Sequence, residues 1–331
     1  MRIYLTCPDL FYIRTREVPI DMQASKPVSR HKRRTYIAVF LAPAVIVYTV
    51  FMIIPLLDSL RLSFFTITSE NKEIFNGLNN YITLLTDPRF ADAFKNALGN
   101  NIKFFLVHMI VQNSIGLLLA ALLASPGRGR GIYRTLIFMP TVLSVVIIGF
   151  IWQLILNPLW GVSEGILKSI GLGALYQPWL GLEPTALVTL SLISVWQFVG
   201  IPMLLFYVAL IGIPEELLEA ARVDGSGSWG IFWRVKFPLI LPTVGIVGIL
   251  TFVGNFNAFD LIYTVKGGLA GPNFASDIMG TLFYRTFFGF QLQLGSPTMG
   301  ATVATMMFLI ILAGVMVYLF AWQRRVLSYE L

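Results

Sequence analysis

Residues 36–57 read YIAVFLAPAVIVYTVFMIIPLL, an apolar run without one charged side chain. At 1.5 Å of rise per residue, about 20 helical residues cross the roughly 30 Å hydrocarbon core of a bilayer. Hydrocarbon offers no hydrogen-bond partners, so the backbone of such a run must pair within itself, as a helix does. The same reading holds at 104–124, 135–156, 185–211, 243–263 and 300–322. The chain is therefore expected to be an all-α integral membrane protein with six transmembrane helices. The apolar and polar alternation of barrel strands is missing from these runs.

Composition agrees with that reading. Apolar residues make up 56% of the 331 and charged ones 12%, too greasy for a soluble domain of this size. The net charge of +7 does not point to nucleic acid, because the basic residues sit at the ends of spans and not along a stripe. Positive-inside retention explains them. Placing both termini in the cytoplasm puts 16 of the 24 Lys and Arg in 1–35, 125–134, 212–241 and 323–331, which fixes the expected orientation. The expected organisation is a basic cytoplasmic tail (1–35), a transmembrane domain (36–322) with a cytoplasmic loop at 212–241, and a short cytoplasmic tail (323–331).

Residues 1–21 carry neither a helix signal nor a signal peptide, so translation is expected to begin at Met22. A lone Cys7 forms no disulfide within the chain, and His31 and His108 lack the company a metal site needs. No metal or cofactor is expected. For His108, inside the second span, a hydrogen bond at a helix interface is the expected role.

The loop 212–241 is the most informative connection. It reads as two short helices with a break between them. Pro214 suits a first helical position, and Glu215 and Glu216 complement the positive end of the dipole. Ile213, Leu217 and Ala221 recur at four-residue spacing as an apolar stripe. Asp224 and Gly225 supply a turn in which Gly takes the left-handed conformation. Ser228 is expected to cap the second helix and Pro238 to close it.

Glu219-Ala220-Ala221, three residues, Gly225, nine residues, then Val235-Lys236-Phe237-Pro238 resembles the EAA loop of ABC importer permeases. The family's usual ending is isoleucine, any residue, leucine, proline, from which Val235 and Phe237 depart conservatively. The resemblance runs from about Arg30 onward and is closest to the carbohydrate-uptake, maltose-type branch. Gly77-Leu78-Asn79-Asn80-Tyr81, Asp87-Pro88-Arg89-Phe90, the run Phe256 to Tyr263 and Tyr284-Arg285-Thr286-Phe287 carry it. The loop with Gly267-Gly268 and Gly271-Pro272 departs from that branch's usual tight glycine-proline run by three inserted residues.

The resemblance implies a type I importer permease fold in the bacterial inner membrane. Its implied partners are a second permease subunit in a heterodimer, two ABC ATPase subunits, a periplasmic or lipid-anchored sugar-binding protein, and membrane lipid. The chain itself is then no enzyme, in keeping with the lack of a Walker-type phosphate loop. It also implies that Glu219, Ala220, Ala221, Asp224, Gly225 and Pro238 couple the membrane domain to the ATPase. A secondary transporter would need ionisable residues within the spans, and Asp260, near an end, is almost alone there. Neither a channel filter nor clustered catalytic groups are found.

Solute contact is expected in the fifth span. On one helical wheel Phe252, Asn255, Phe256, Phe259, Asp260 and Tyr263 share a broad face, with Asn257 beside it, mixing aromatic surfaces with amide and carboxylate groups. Such a face also packs well against other helices. Trp196 with Gln197 in the fourth span, and Trp152 with Gln153 in the third, repeat the pairing of ring and amide. Pro140 and Pro202, the latter after Gly200, are expected to kink the third and fourth spans.

Overall fold

The computed structural model describes residues 30–323 except 69, 71, 126 and 292. The expectations for a Met22 start, Cys7, His31, the basic side chains of 30–34, and Arg324 with Arg325 lie outside what is described. Contacts divide the chain into residues 1–55 and 56–331. In the first unit the helix Arg30–Tyr48 passes into a π turn at Thr49–Ile53, and apolar side chains such as Phe40 and Phe51 stand exposed along it. A lipid-facing helix has that surface.

Four helical runs, Val39–Leu62, Pro88–Ala124, Leu241–Leu269 and Pro297–Trp322, are long and apolar enough to cross a membrane. Two bent pairs, Arg130–Val142 with Val145–Ile155 and Glu183–Phe198 with Gly200–Ile211, bring the number to six when each pair counts as one span. The second span starts well before residue 104. Asp87 caps it, accepting from the Arg89 N–H at 3.0 Å, and Pro88 takes the first turn. Its first half is amphipathic, burying Ala91, Phe94, Ala97, Asn100, Asn101 and Phe104 at helical spacing while Arg89 and Lys95 face outward. Mean apolarity therefore understates it.

The third span is not one straight helix. Its halves meet at 94°, and the break falls at Leu143 and Ser144, three residues beyond Pro140. The side chain of Gln197 donates to the freed Leu143 carbonyl at 3.1 Å, and Thr141 Oγ1 donates to the Gln197 carbonyl at 2.9 Å. The fourth span bends by 44° at Val199, where Pro202 has no N–H to give. A Cβ on Gly200 would lie 2.9 Å from Phe138 Cα, so only glycine allows these two bent spans to approach so closely.

The fifth span corrects the expectation most. Helix Leu241–Phe256 stops, residues 257–259 are non-helical, and helix Asp260–Lys266 begins anew. One wheel cannot describe both pieces. Asn101 spans the gap between elements here: its Nδ2 donates to the Asn255 carbonyl at 2.9 Å and its Oδ1 accepts from the Met279 N–H at 2.8 Å. A broken membrane helix needs such borrowed partners.

Between the fifth and sixth spans the helix Met279–Phe288 packs on the second and sixth spans through Phe94, Ala97, Leu282 and Val303. Asp277 and Arg285 form a buried bidentate pair at 2.7 and 3.2 Å. Arg285 also donates to the Gly268 carbonyl at 3.0 Å and lies over the Phe274 ring, while Thr281 Oγ1 donates to Asp277 at 2.7 Å. Burial pushes the Asp277 carboxyl up and the Arg285 guanidinium pulls it back. Before the second span, Phe65–Ile67 and Glu73–Phe75 form an antiparallel hairpin. Asn80 ties it down by donating to the Ser63 and Phe65 carbonyls.

Candidate functional site

The breaks and bends leave space between the second, fourth and fifth spans. A cavity of about 450 Å³ opens there. Apolar walls come from Phe104, Val145, Phe198, Ile201, Leu205, Val247 and Leu261, and polar groups from His108, Gln112, Ser194, Thr251, Asn255, Asn257 and Asp260. That mixture, largely apolar with a few fixed polar groups, is how small-molecule sites are built.

Each polar group has a definite state. His108 Nδ1 lies 2.8 Å from the Phe104 carbonyl, which can only accept, so Nδ1 carries the proton. His108 Nε2 then accepts the Ser194 hydroxyl at 2.9 Å. The helix-interface hydrogen bond expected of His108 is thus present, and the residue lines the cavity as well. Asn113 and Thr251 bond each other at 3.2 Å, joining the second and fifth spans. Asn255 Nδ2 donates to the Thr251 carbonyl at 2.7 Å. The side-chain oxygens of Asn255 and Gln112 are buried without a partner among the described residues.

The structure sorts the residues expected to meet solute. Asn255, Asn257, Phe259 and Asp260 line the cavity. Phe259 stacks on Tyr263 at 4.8 Å, and Tyr263 in turn reaches Tyr284. Phe256 is buried against Phe252, whose ring fills the place a side chain on Gly314 would take, so both serve packing with the sixth span. Trp196 and Trp152 meet edge-on at 5.6 Å outside the cavity lining. Gln197 is fully buried, tied to the break in the third span, and Gln153 reaches the Val265 carbonyl at 3.5 Å. Sequence reasoning missed Gln112, Ser194 and Thr251. In the second span positions 104, 108, 112, 116 and 120 are buried, every fourth residue, a spacing that a mixture of Phe, His, Gln, Gly and Ala does not announce.

The loop 212–241 forms a second, separate feature. Helix Glu215–Val223 has Pro214 as its cap and not its first residue, since Pro214 keeps an extended ψ of 132°. Gly225 has φ +82°, and the bonds Gly225 N–H to Arg222 O and Ser226 N–H to Ala221 O make a Schellman end. The buried stripe is Ile213, Leu218, Ala221, Ile231 and Val235; Leu217, expected in it, faces outward. Gly227, not Ser228, precedes the second helical stretch, and no described side chain caps it. Pro238 falls inside the last turn, Phe237–Leu239, and the chain breaks at Ile240. Glu219, Ala220, Asp224, Gly225 and Pro238 are exposed, and Ala221 is buried. Beside them Trp229, Trp233, Arg234 and the 224–227 turn line a groove of about 480 Å³.

Apolar helices broken around an inner cavity that carries a few polar groups, with a structured loop held outside, define a membrane transport component. The chain belongs to the family of binding-protein-dependent transport system inner membrane components, whose match covers residues 112–326. It is 35% identical to a probable ABC transporter permease protein, YurN, of Bacillus subtilis (strain 168), over 75% of this chain and 84% of the relative. It is 32% identical to the lactose transport system permease protein LacF of Rhizobium radiobacter, over 76% of this chain and 83% of the relative. A bacterial alginate ABC transporter, solved in complex with its alginate pentasaccharide-bound periplasmic protein, superposes with a TM-score of 0.69 at 20% identity. That match covers 88% of this chain and 93% of the other, and it shows a shared fold.

The chain is thus a multi-pass inner-membrane permease of the type I importer fold, not an enzyme. Its family serves ABC importers that also contain a substrate-binding protein and a separate ATPase.

Proposed function

We propose that this permease carries a neutral sugar, which passes through the cavity between the second, fourth and fifth spans. The cavity lining supports that reading: among the described residues it offers amide, hydroxyl and imidazole groups with the Phe259 ring, and neither Lys nor Arg. Sugars present hydroxyls and apolar C–H faces, which suit such a wall. An acidic polysaccharide such as alginate, which the structural neighbour imports, would meet Asp260 here and no cation. Relatives named for lactose, multiple sugars and alpha-glucosides favour the same class. Asn255, Asn257, Phe259 and Asp260 are the proposed contacts; Phe256, Trp196 and Gln197 act behind them.

In this reading the chain pairs with a second, different permease subunit and two ATPase subunits, and a binding protein delivers the sugar. Both termini and the loop 212–241 face the cytoplasm, with 1–35 and 323–331 as tails. Glu219, Ala220, Ala221, Asp224, Gly225 and Pro238 form the surface that follows the ATPase. Reconstituted transporter should take up one of radiolabelled lactose, maltose, trehalose or sucrose when ATP and binding protein are present. Uptake of an alginate oligosaccharide with none of these four would overturn the neutral-sugar reading.

A further inference from the structure

We infer that the segment just after the third span is a membrane-surface anchor: the short helix Ser163–Ser169 lies in the bilayer plane, with the side chains of Val162, Ile166 and Ile170 among lipid acyl chains. The segment sits on the face of the membrane opposite the loop 212–241, and its role does not depend on which solute is carried.

Its depth is set by a turn. The third span ends at Ile155, and the chain folds back on that end at once, the Gly161 N–H donating to the Asn157 carbonyl at 2.9 Å. A Cβ on Gly161 would lie 2.5 Å from the Ile155 carbonyl oxygen, so residue 161 rests on the end of the span itself. Its neighbours Trp160 and Val162 are thereby held where the span meets the headgroups, the level that tryptophan favours.

The helix surface divides three ways. At about 100° per residue, Val162, Ile166 and Ile170 fall on one stripe and Glu164 with Lys168 on the opposite one. Val162, Ile166 and Ile170 are exposed. Glu164 and Lys168 pair with each other at 2.7 Å, so their side carries no net charge. Ser163 is buried and Leu167 half-buried, which puts the rest of the protein against the side between those two stripes. A helix at the rim of a membrane protein needs this arrangement, with lipid below, water above and protein beside it.

Composition favours lipid as the cover of the apolar stripe. From 157 to 182 no charged residue occurs besides that pair. Leu159 and Trp160 are 87% and 69% exposed, a surface that water would penalise. Along the chain, the exposed Phe150, Ile151 and Leu154 of the third span lead through Leu159 and Trp160 to the stripe. The bilayer that meets the span therefore meets the stripe as well.

The test uses the assembled transporter in vesicles of phosphatidylethanolamine and phosphatidylglycerol. Cys7→Ser removes the single cysteine, and a nitroxide label is placed in turn through Ile166→Cys, Ile170→Cys and Lys168→Cys. Oxygen, which dissolves in acyl chains, should relax the labels at 166 and 170 more than a water-soluble nickel chelate does, and the order should reverse at 168. Nickel relaxing 166 and 170 as strongly as 168 would put the stripe in water, and shelter from both reagents would put it against another protein subunit; either result overturns the inference. If a labelled variant fails to assemble, Trp160→Phe decides. It should lose part of the tryptophan fluorescence that lipid brominated near its headgroup quenches in the wild type, and equal quenchable fluorescence in both proteins would also overturn the inference.

Discussion

Two regions of the molecule bury polar side chains in opposite ways. Around the helix Met279–Phe288, Asp277, Arg285, Thr281, Asn100 and Asn101 interlock through hydrogen bonds that span the second span, the broken fifth span and the following loop. Around the cavity, Gln112 and Asn255 keep an acceptor oxygen without a partner among the described residues. Satisfied buried polar groups fix a structure, whereas an unsatisfied one stores a demand that a ligand can meet. The first region therefore holds the framework, and the second is held by fewer bonds than its buried groups could make.

Removing the ion pair tests this contrast most severely. Arg285→Met leaves the Asp277 carboxylate buried without its cation and the Gly268 carbonyl without its donor, and should cost about 3–5 kcal/mol. Thermal unfolding of the purified permease should show a large drop in midpoint; an unchanged midpoint would place the pair among ornamental contacts. Asn101→Leu comes next, at about 2–3 kcal/mol, because it orphans the Met279 N–H and removes the donor to the Asn255 carbonyl. Limited proteolysis should then cut within 257–278 faster than in wild type.

A backbone constraint ranks third. Gly225→Val forces a side chain onto φ +82° and should cost about 1 kcal/mol or more locally. The variant should still insert, but with weakened ATPase co-purification, and Glu219→Lys, on the same exposed surface, should lose ATPase association without loss of stability. Co-purification at wild-type level in both would remove the coupling role. The smallest effect on stability belongs to the cavity: Gln112→Met exchanges an orphan acceptor for an apolar group of like volume, so unfolding should stay within about 0.5 kcal/mol of wild type or rise. A fall as large as that of Asn101→Leu would show that the two regions do not differ in kind.

Much of this was legible in the residues. The apolar runs marked the spans, because hydrocarbon forces a simple pattern on any helix it surrounds. The loop 212–241 was legible for a different reason: its turn is local, and Gly225 at φ +82° is a requirement one residue imposes by itself. The break at 257–259 was not legible, since no proline or glycine pair marks it and the Asn255 carbonyl beside it takes a further hydrogen bond from Asn101, 154 positions away. The bend at Leu143 likewise depends on Gln197, and proximity to Pro140 misplaced it by three residues. Cavity residues on the second span escaped notice because an isolated Gln or His among apolar neighbours looks the same whether it packs or binds.

The π turn in the second span also has a genetic meaning. Steps of four residues from 104 to 120 would walk about 160° around an ideal α-helix, yet Phe104, His108, Gln112, Gly116 and Ala120 are all buried. The turn takes up one surplus residue, and with it about 100° of that drift. Deleting any one residue from 108–112 should therefore restore a smooth helix with residues 88–107 still facing as they do relative to 113–124, whereas inserting one should swing them by roughly 100°. Asn101 would leave its carbonyl or Gly116 would leave Pro202, against whose ring a Cβ would stand only 3.1 Å away. Substitutions and one single-codon deletion in this stretch should thus be survivable while single-codon insertions are not, and it is lengthening, more than a change of letters, that inheritance has to avoid.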